Sequence, residues 1–242
     1  MNHPDEGQFS QDVPDSGIGA VLVSSRSLDE YRAMFALSDD DLRRKILDCP
    51  GGAASLTAEI GLAGGDATAC DPIYADREAQ HLAVIADAEI DRGNQYVLAH
   101  PEQYRWTYFA NPDDHHRSRS AAGTRFALDY QARPQCYVPG RLPHLPFQDH
   151  SFDLVLSSHL LFSYADRFDL QFHRAGILEL MRVTRDELRI FPLVAMGSVV
   201  YPHLDQLLDQ LCGEGWAIDV VDVDYEFQVG GTQMLVFRRQ VR

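Results

Sequence analysis

Positive charge is what this sequence has least of. Across 242 residues Lys and Arg together number 21 against 36 Asp and Glu, a formal net charge of −15. Surfaces that bind nucleic acid or an anionic membrane neutralise phosphates with clustered Lys and Arg, so the balance argues against both as partners. Cysteine is sparse too. Cys49, Cys70, Cys136 and Cys212 lie far apart and none forms a CxxC pair, which argues against a metal knuckle or a disulfide framework. They read as reduced, small apolar packing residues of a cytoplasmic protein. No uninterrupted apolar run approaches the length of a membrane span. The opening stretch, MNHPDEGQFSQDVPDSG, is polar and acidic and lacks the apolar core of a signal peptide or targeting helix. Internal repeats and low-complexity blocks are also missing. What remains, with 45% hydrophobic and 24% charged residues, is an ordinary soluble globular composition.

The organisation implied is a loose tail over residues 1–25, followed by a single domain over 26–242. Ser27 is placed to cap a helix with Asp29 and Glu30 in its first turn and Tyr31, Met34 and Phe35 on one face. Ser38 and the aspartates after it start a second short helix. Lys45 to Asp71 then reads as a strand (Ile46, Leu47, Asp48), a turn at Pro50-Gly51-Gly52, a helix over Leu56 to Ile60, and a second strand, Ala67 to Cys70, ending on Asp71. This is the first βαβ unit of a nucleotide-binding fold. Glycines let a cofactor approach the backbone, a helix N-terminus offers free N–H groups to an anionic part of it, and an acid after the second strand can accept from both hydroxyls of a ribose.

Beyond Asp71, Leu82, Ile85 and Ala86 fall at core spacing on a helix. Residues from about 93 to 133 form a less regular insertion with an aromatic cluster, Tyr104, Trp106, Tyr108 and Phe109. Asn111-Pro112-Asp113-Asp114 reads as the cap and first turn of a helix running through Phe126 to Tyr130. His115 and His116 are neighbours that point about 100° apart on that helix, a poor chelate, and no metal site is expected. A short strand at Cys136 to Val138 and a proline-rich bend over Leu142 to Phe147 lead to a buried strand, Phe152 to Leu156. Ser157-Ser158-His159 follows at its C-terminal end, where open α/β sheets place ligands. A helix over Asp166 to Val183, with Phe172, Ala175, Leu178 and Met181 on one face, precedes a strand over Glu187 to Leu193. Leu204, Leu207, Leu208 and Leu211 mark a further helix. Two last strands, Ala217 to Phe227 and Gln233 to Arg239, are separated by Gly230-Gly231, a hairpin signal.

LPFQDHSFDLVLSSHLLF, followed by a helix ending ILELMRV, resembles the fourth-strand region of class I S-adenosylmethionine-dependent methyltransferases, and ILDCPGG with ACDP resembles their cofactor motif. The resemblance implies a three-layer, Rossmann-like α/β fold: a seven-stranded mixed sheet of order 3-2-1-4-5-7-6, the last strand antiparallel, with helices on both faces. It implies S-adenosylmethionine as cofactor and S-adenosylhomocysteine as product. Residue by residue, Asp48 matches the acid ending the first strand, and Gly51, Gly52 and Ala53 the glycine turn, with Cys49 and Pro50 leading into it. Asp71 matches the ribose-binding acid, with Pro72 after it, and Ser157 with Ser158 the border of the methionine moiety. Three departures stand out. The usual G-x-G-x-G is Pro50-Gly51-Gly52-Ala53-Ala54, the adenine-contacting acid of the third strand is replaced by Pro139-Gly140-Arg141-Leu142, and the turn before the fifth strand is Thr184-Arg185-Asp186.

The expected function is methyl transfer to a small-molecule acceptor, with His159 as the base that takes the acceptor's proton. Enzymes methylating amino groups of DNA bases or glutamine carry an Asn/Asp-Pro-Pro-aromatic run where this chain has Ser-Ser-His-Leu. Two rival readings share part of the signal. An NAD(P)-dependent oxidoreductase also has a glycine turn followed by an acid, although its G-x-G-x-x-G is missing. A non-catalytic methyltransferase-like binding protein would explain the altered turn.

Overall fold

The computed structural model describes residues 17–76, 78–212 and 215–240. Its seven-stranded sheet has the order β3-β2-β1-β4-β5-β9-β8. The strands are β1 (Lys45–Asp48), β2 (Asp66–Cys70), β3 (Tyr137–Val138), β4 (Phe152–Ser158), β5 (Thr184–Phe191), β8 (Trp216–Asp222) and β9 (Gln233–Arg239). Neighbours from β3 to β5 pair in parallel, and β9 runs antiparallel to both β5 and β8. As β8 and β9 are the sixth and seventh strands of this sheet, the order is the expected 3-2-1-4-5-7-6. A separate two-stranded ribbon, β6 (Val194–Ala195) with β7 (Val199–Val200), follows β5.

Alternation along the strands builds a core on each face. Leu47, Val155 and Leu188 pack with Ile177, Leu180 and Met181 of α5 (Leu170–Val183) and Leu207 and Leu211 of α6 (Leu204–Leu211). Ile46, Leu154 and Leu156 face the other way, onto Tyr31, Met34 and Phe35 of α1 (Leu28–Phe35) and Leu56 and Ile60 of α2 (Leu56–Leu62). Ser27 caps α1 by accepting from Glu30 N–H. With about 0.8 kcal/mol per buried methylene, these two layers dominate the stability.

Several expectations need correction. The aspartates after Ser38 form only a 3-10 turn, Asp41–Arg43. The less regular start of the insertion is the part that differs, since α3 runs Ala79–Ala99, past residue 93; the helix expected after Asn111 forms as α4, Pro112–Ala132, with Asn111 capping it through Asp114 N–H and α3 packed alongside. α5 starts at Leu170 with Asp169 as its cap; of the face expected, Met181 is buried while Phe172, Ala175 and Leu178 are half-buried, and His173, Gly176, Ile177 and Leu180 lie in the interior beside Met181. Residues 223–232, not a tight Gly-Gly turn, join β8 to β9, and they fold back to place Tyr225, Phe227 and Gln228 in the interior.

The tail is the largest correction. Residues 1–16 lie outside the described residues, but 17–26 form an ordered strap. Leu22 N–H donates to the Tyr164 hydroxyl at 2.8 Å and Val23 N–H to Glu89 at 2.9 Å. The physical reason is small residues on the helices beneath. A Cβ on Gly93 would lie 3.1 Å from the Leu22 side chain, and one on Gly123 would lie 3.3 Å from Ser25 Oγ. Gly93 therefore makes room for the strap and does not end α3. Among the described residues no helix is long and apolar enough to cross a membrane.

Candidate functional site

The first crossover fixes the site. At the end of β1 the chain turns through Pro50, Gly51 and Gly52 into α2, and at the end of β2 it places Asp71 alongside. Asp71 Oδ2 accepts Gly52 N–H at 3.0 Å and Oδ1 accepts Ile73 N–H at 3.0 Å, the latter capping the 3-10 turn Pro72–Ala75. Burial pushes the Asp71 carboxyl up, and the two N–H donors oppose the shift. Each carboxylate oxygen keeps a further lone pair for a ligand hydroxyl.

Two glycines are required here for different reasons. A Cβ on Gly51 would lie 2.8 Å from both Ala69 Cβ and the Tyr74 hydroxyl. Gly52 has φ +51°, and its Cβ would lie 2.9 Å from Ser24 O of the strap. Two of the N–H groups leading into α2 are bonded to the strap. Ala53 N–H donates to Ser24 O at 3.0 Å and Ser55 N–H to Arg26 O at 2.9 Å. The strap thus takes up the N-cap donor of α2, at Ser55, and the Ala53 donor in the turn before it.

Asp48 sits behind this turn, 1% exposed, with the Tyr31 hydroxyl donating to its two oxygens at 2.9 and 3.0 Å. Burial pushes its carboxyl up to about 8, the Tyr31 hydrogen bond opposes this, and nearby Asp71 adds to it. The carboxyl is therefore mostly neutral at pH 7. Cys49 and Cys70 lie beside it; its neighbour's thiol and burial raise Cys49 well above the ordinary range, so it is an unreactive thiol.

A crevice of about 860 Å³ opens at the carboxyl ends of β1, β2 and β4, within the size range of small-molecule sites. Of the residues picked out in the sequence, Cys49, Pro50, Gly52, Asp71, Pro72, Ser158 and His159 line it, whereas Asp48, Gly51, Ala53 and Ser157 lie behind its wall. The sequence reading missed three other contributors. Val21 to Ser24 of the strap form one side, Gly140 to Leu142 another, and Arg167, Phe168 and Phe172 a third. Phe168 and Phe172 stack with ring centroids 4.3 Å apart. The apolar Val21-Leu22-Val23 inside the supposed tail was the signal available for the strap.

His159 has φ +50°, donates its N–H to Phe191 O at 2.8 Å, and has Nδ1 2.7 Å from Ser158 Oγ. Burial, then Arg26 and Arg119, hold its imidazole well below the ordinary value, so the ring is neutral at pH 7. It also borders a second space. This cavity, about 80 Å³, lies between the strap, α3, α4 and the segment after β4, and it shares Leu22, Val23, Ser24 and His159 with the crevice. At its rim Arg119 forms a bidentate pair with fully buried Glu30, one arm at 2.7 Å, and Tyr225 donates to Glu30 at 2.8 Å. Burial alone would raise the Glu30 carboxyl, but Arg119 and Arg26 outweigh it and hold it below the ordinary value. His115 lines the cavity, while half-buried His116 turns to Asp91 at 3.2 Å, so the pair diverges as its spacing implies. Among the described residues no group of three or more His, Cys, Asp or Glu could hold a metal ion.

No known family model matches the chain. The uncharacterized protein MJ0045 of Methanocaldococcus jannaschii is 29% identical over 220 residues, 90% of this chain and 96% of that protein. Solved structures with similar backbones include magnesium protoporphyrin IX methyltransferase from Synechocystis, at 14% identity and TM-score 0.46, over 88% of this chain and 77% of that one. Another is 1,6-didemethyltoxoflavin-N1-methyltransferase from Burkholderia thailandensis, also at 14% identity and TM-score 0.46, over 86% and 77%. These likenesses are distant. The chain's own strand order, with its antiparallel last strand, gives it the fold of the class I S-adenosylmethionine-dependent methyltransferases.

Proposed function

We propose that the protein is an S-adenosylmethionine-dependent methyltransferase that acts on a small-molecule acceptor and releases S-adenosylhomocysteine. The observation that carries this reading is the Asp71 carboxylate, held by Gly52 and Ile73 N–H at the mouth of the crevice with lone pairs to spare for two ribose hydroxyls. The amides of the glycine turn weigh against the rival oxidoreductase reading. A dinucleotide places its pyrophosphate on free amides at this point, and here those of Ala53 and Ser55 are bonded to the strap. A nucleoside cofactor without phosphate needs no such cradle, so the same feature that weakens the oxidoreductase reading is neutral for this one.

When bound, the cofactor supplies a methyl carbon attached to a sulfonium, a group already activated for in-line displacement. In this reading Asp71 holds the ribose, Cys49, Pro50 and Gly52 form the edge along which it lies, and Pro72 and Ile73 flank the base. Ser158 and Arg167 face the methionine end, where the guanidinium complements a carboxylate. Asp48, Gly51, Ala53 and Ser157 act from behind the wall by fixing the turn. His159 stands between crevice and cavity, with a neutral ring open to accept a hydrogen bond. Its low basicity suits an acceptor whose proton becomes strongly acidic only as the new carbon bond forms. The protein's remaining task is alignment and exclusion of water, which the strap performs by roofing both spaces. The free cysteines fit a reducing, cytoplasmic setting.

Calorimetric titration of the full chain with S-adenosylmethionine, S-adenosylhomocysteine and reduced nicotinamide dinucleotides tests the reading. Binding of the first two and not of the dinucleotides is expected; the reverse pattern would overturn it.

A further inference from the structure

Buried polar atoms in folded proteins are nearly always hydrogen-bonded, so a group of exceptions in one place needs a cause. Among the described residues, five unpartnered buried side-chain atoms belong to residues that line the second cavity: Ser25 Oγ, Arg26 Nε, Asn94 Oδ1, His115 Nδ1 and Ser163 Oγ. Ser25, His115 and Ser163 are 1%, 5% and 1% exposed.

The chemistry of these atoms is mostly that of donors. Arg119 Nε lies 3.1 Å from His115 Nε2, and a guanidinium can only donate. His115 Nε2 therefore accepts, and the ring proton sits on Nδ1, the unpartnered atom. Arg26 Nε–H is likewise a donor, 3.5 Å from Glu30 Oε1 and without a hydrogen bond. Both serine hydroxyls can donate. Asn94 presents either its oxygen or, after a half-turn of the amide, its NH2 group.

Charge points the same way. Among the described residues around the cavity, Arg26 and Arg119 face one carboxylate, Glu30, two positive charges against one negative. The other acid on the lining, Glu89, is neutralised by Arg92, whose Nη2 and Nε lie 2.7 and 2.8 Å from its two oxygens. One buried positive charge is left over, which is costly without a counter-charge. The walls are otherwise apolar and aromatic, with Tyr96, Tyr104, Met196 and Phe227.

We infer that this cavity binds the carboxylate of a small, partly apolar organic acid, held by Arg26, Ser25, His115 and Ser163. A monoanion balances the one excess positive charge, where a phosphate dianion would exceed it. Its role as the methyl acceptor rests on the methyltransferase reading, because cavity and crevice are linked only through their shared wall of Leu22, Val23, Ser24 and His159 among the described residues; carboxylate binding itself does not depend on that reading.

The test is calorimetric titration of the full chain with acetate, benzoate, benzylamine and inorganic phosphate, repeated on Arg26→Gln and Ser163→Ala variants whose folding is checked by thermal melting. Saturable binding of acetate or benzoate is expected, weakened about tenfold or more by Arg26→Gln and severalfold by Ser163→Ala, as loss of hydrogen bonds to a charged group implies. No saturable binding of either carboxylate, equal binding of benzylamine, preference for phosphate, or insensitivity to both substitutions would each overturn the inference. S-adenosylmethionine is titrated in parallel. If it binds while the carboxylates do not, the inference fails and the methyltransferase reading stands. If the carboxylates bind while it does not, the cavity assignment stands and the methyltransferase reading fails.

Discussion

Asp71 and Gly52 meet across the first crossover, with the carboxylate Oδ2 3.0 Å from the glycine N–H. A single side chain thus fixes the backbone of the glycine turn and presents its remaining lone pairs to the crevice. The strap completes the turn from the other side, since Ser24 O accepts Ala53 N–H and lies against Gly52.

Gly52→Ala tests that packing. The residue has φ +51°, and the new methyl would meet Ser24 O at 2.9 Å. Strain of this kind costs about 1–3 kcal/mol, and the backbone oxygen cannot swing aside as a flexible side chain would. Urea denaturation should show a loss in that range, with strap amides such as Val23 exchanging hydrogen faster. An unchanged midpoint and unchanged exchange would mean that the strap does not bear on the turn.

Asp48 gives a pH prediction. In the folded protein burial pushes its carboxyl up to about 8, whereas in an unfolded chain it titrates near 4. Between those values the folded state keeps a proton that the unfolded state has released, so stability falls as pH rises from about 4 to about 8. Asp71, also raised by burial, adds to the same slope. Asp48→Asn keeps an oxygen for the Tyr31 hydroxyl and removes the titration. It should be more stable than wild type at pH 8 by about 2–4 kcal/mol and nearly equal to it at pH 4. Chemical denaturation at the two pH values decides it; a variant less stable at pH 8 contradicts the burial argument.

Among the described residues Glu30 is the sole carboxylate paired with Arg119, and it faces Arg26 as well. Glu30→Ala would leave two guanidiniums buried without a counter-charge, and breaking a buried pair in this way costs about 3–5 kcal/mol. Thermal melting should reveal a large loss of stability, partly restored by a second change of Arg119→Met. A small loss in the single variant would show that water reaches the pair.

The sequence made the sheet legible because its parallel strands are short apolar runs closed by turn signals, and because the crossover from Asp48 to Asp71 follows a regular order of strand, glycine turn, helix and strand. It made the crevice floor legible for the same reason: Cys49, Pro50, Gly52, Asp71, Pro72, Ser158 and His159 sit at strand ends, where chain order fixes position. The walls were hidden because they depend on what packs over the sheet. Val21 to Ser24 read as the end of a loose tail, since the partners that order them, Glu89, Tyr164 and Gly93, are remote in sequence. Arg141 looked only like a missing acid. The less regular stretch was placed from about residue 93, inside what is α3, because a glycine's effect on a helix depends on whether another chain segment needs the space. The Glu30–Arg119 pair, 89 residues apart, leaves no local pattern to read.

Asp71→Asn is the most direct test of the proposed function. The amide has nearly the shape of the carboxylate, but one of its ends can only donate, so it keeps an acceptor for just one of Gly52 N–H and Ile73 N–H, sets an NH2 group against the other, and loses that end's lone pair for a ribose hydroxyl. Calorimetry should show wild type binding both S-adenosylmethionine and S-adenosylhomocysteine, and the folded variant binding each about tenfold or more weakly, the effect of lost charge-assisted hydrogen bonds. Equal affinity in the two proteins, or no binding by wild type at millimolar concentration, would contradict the account.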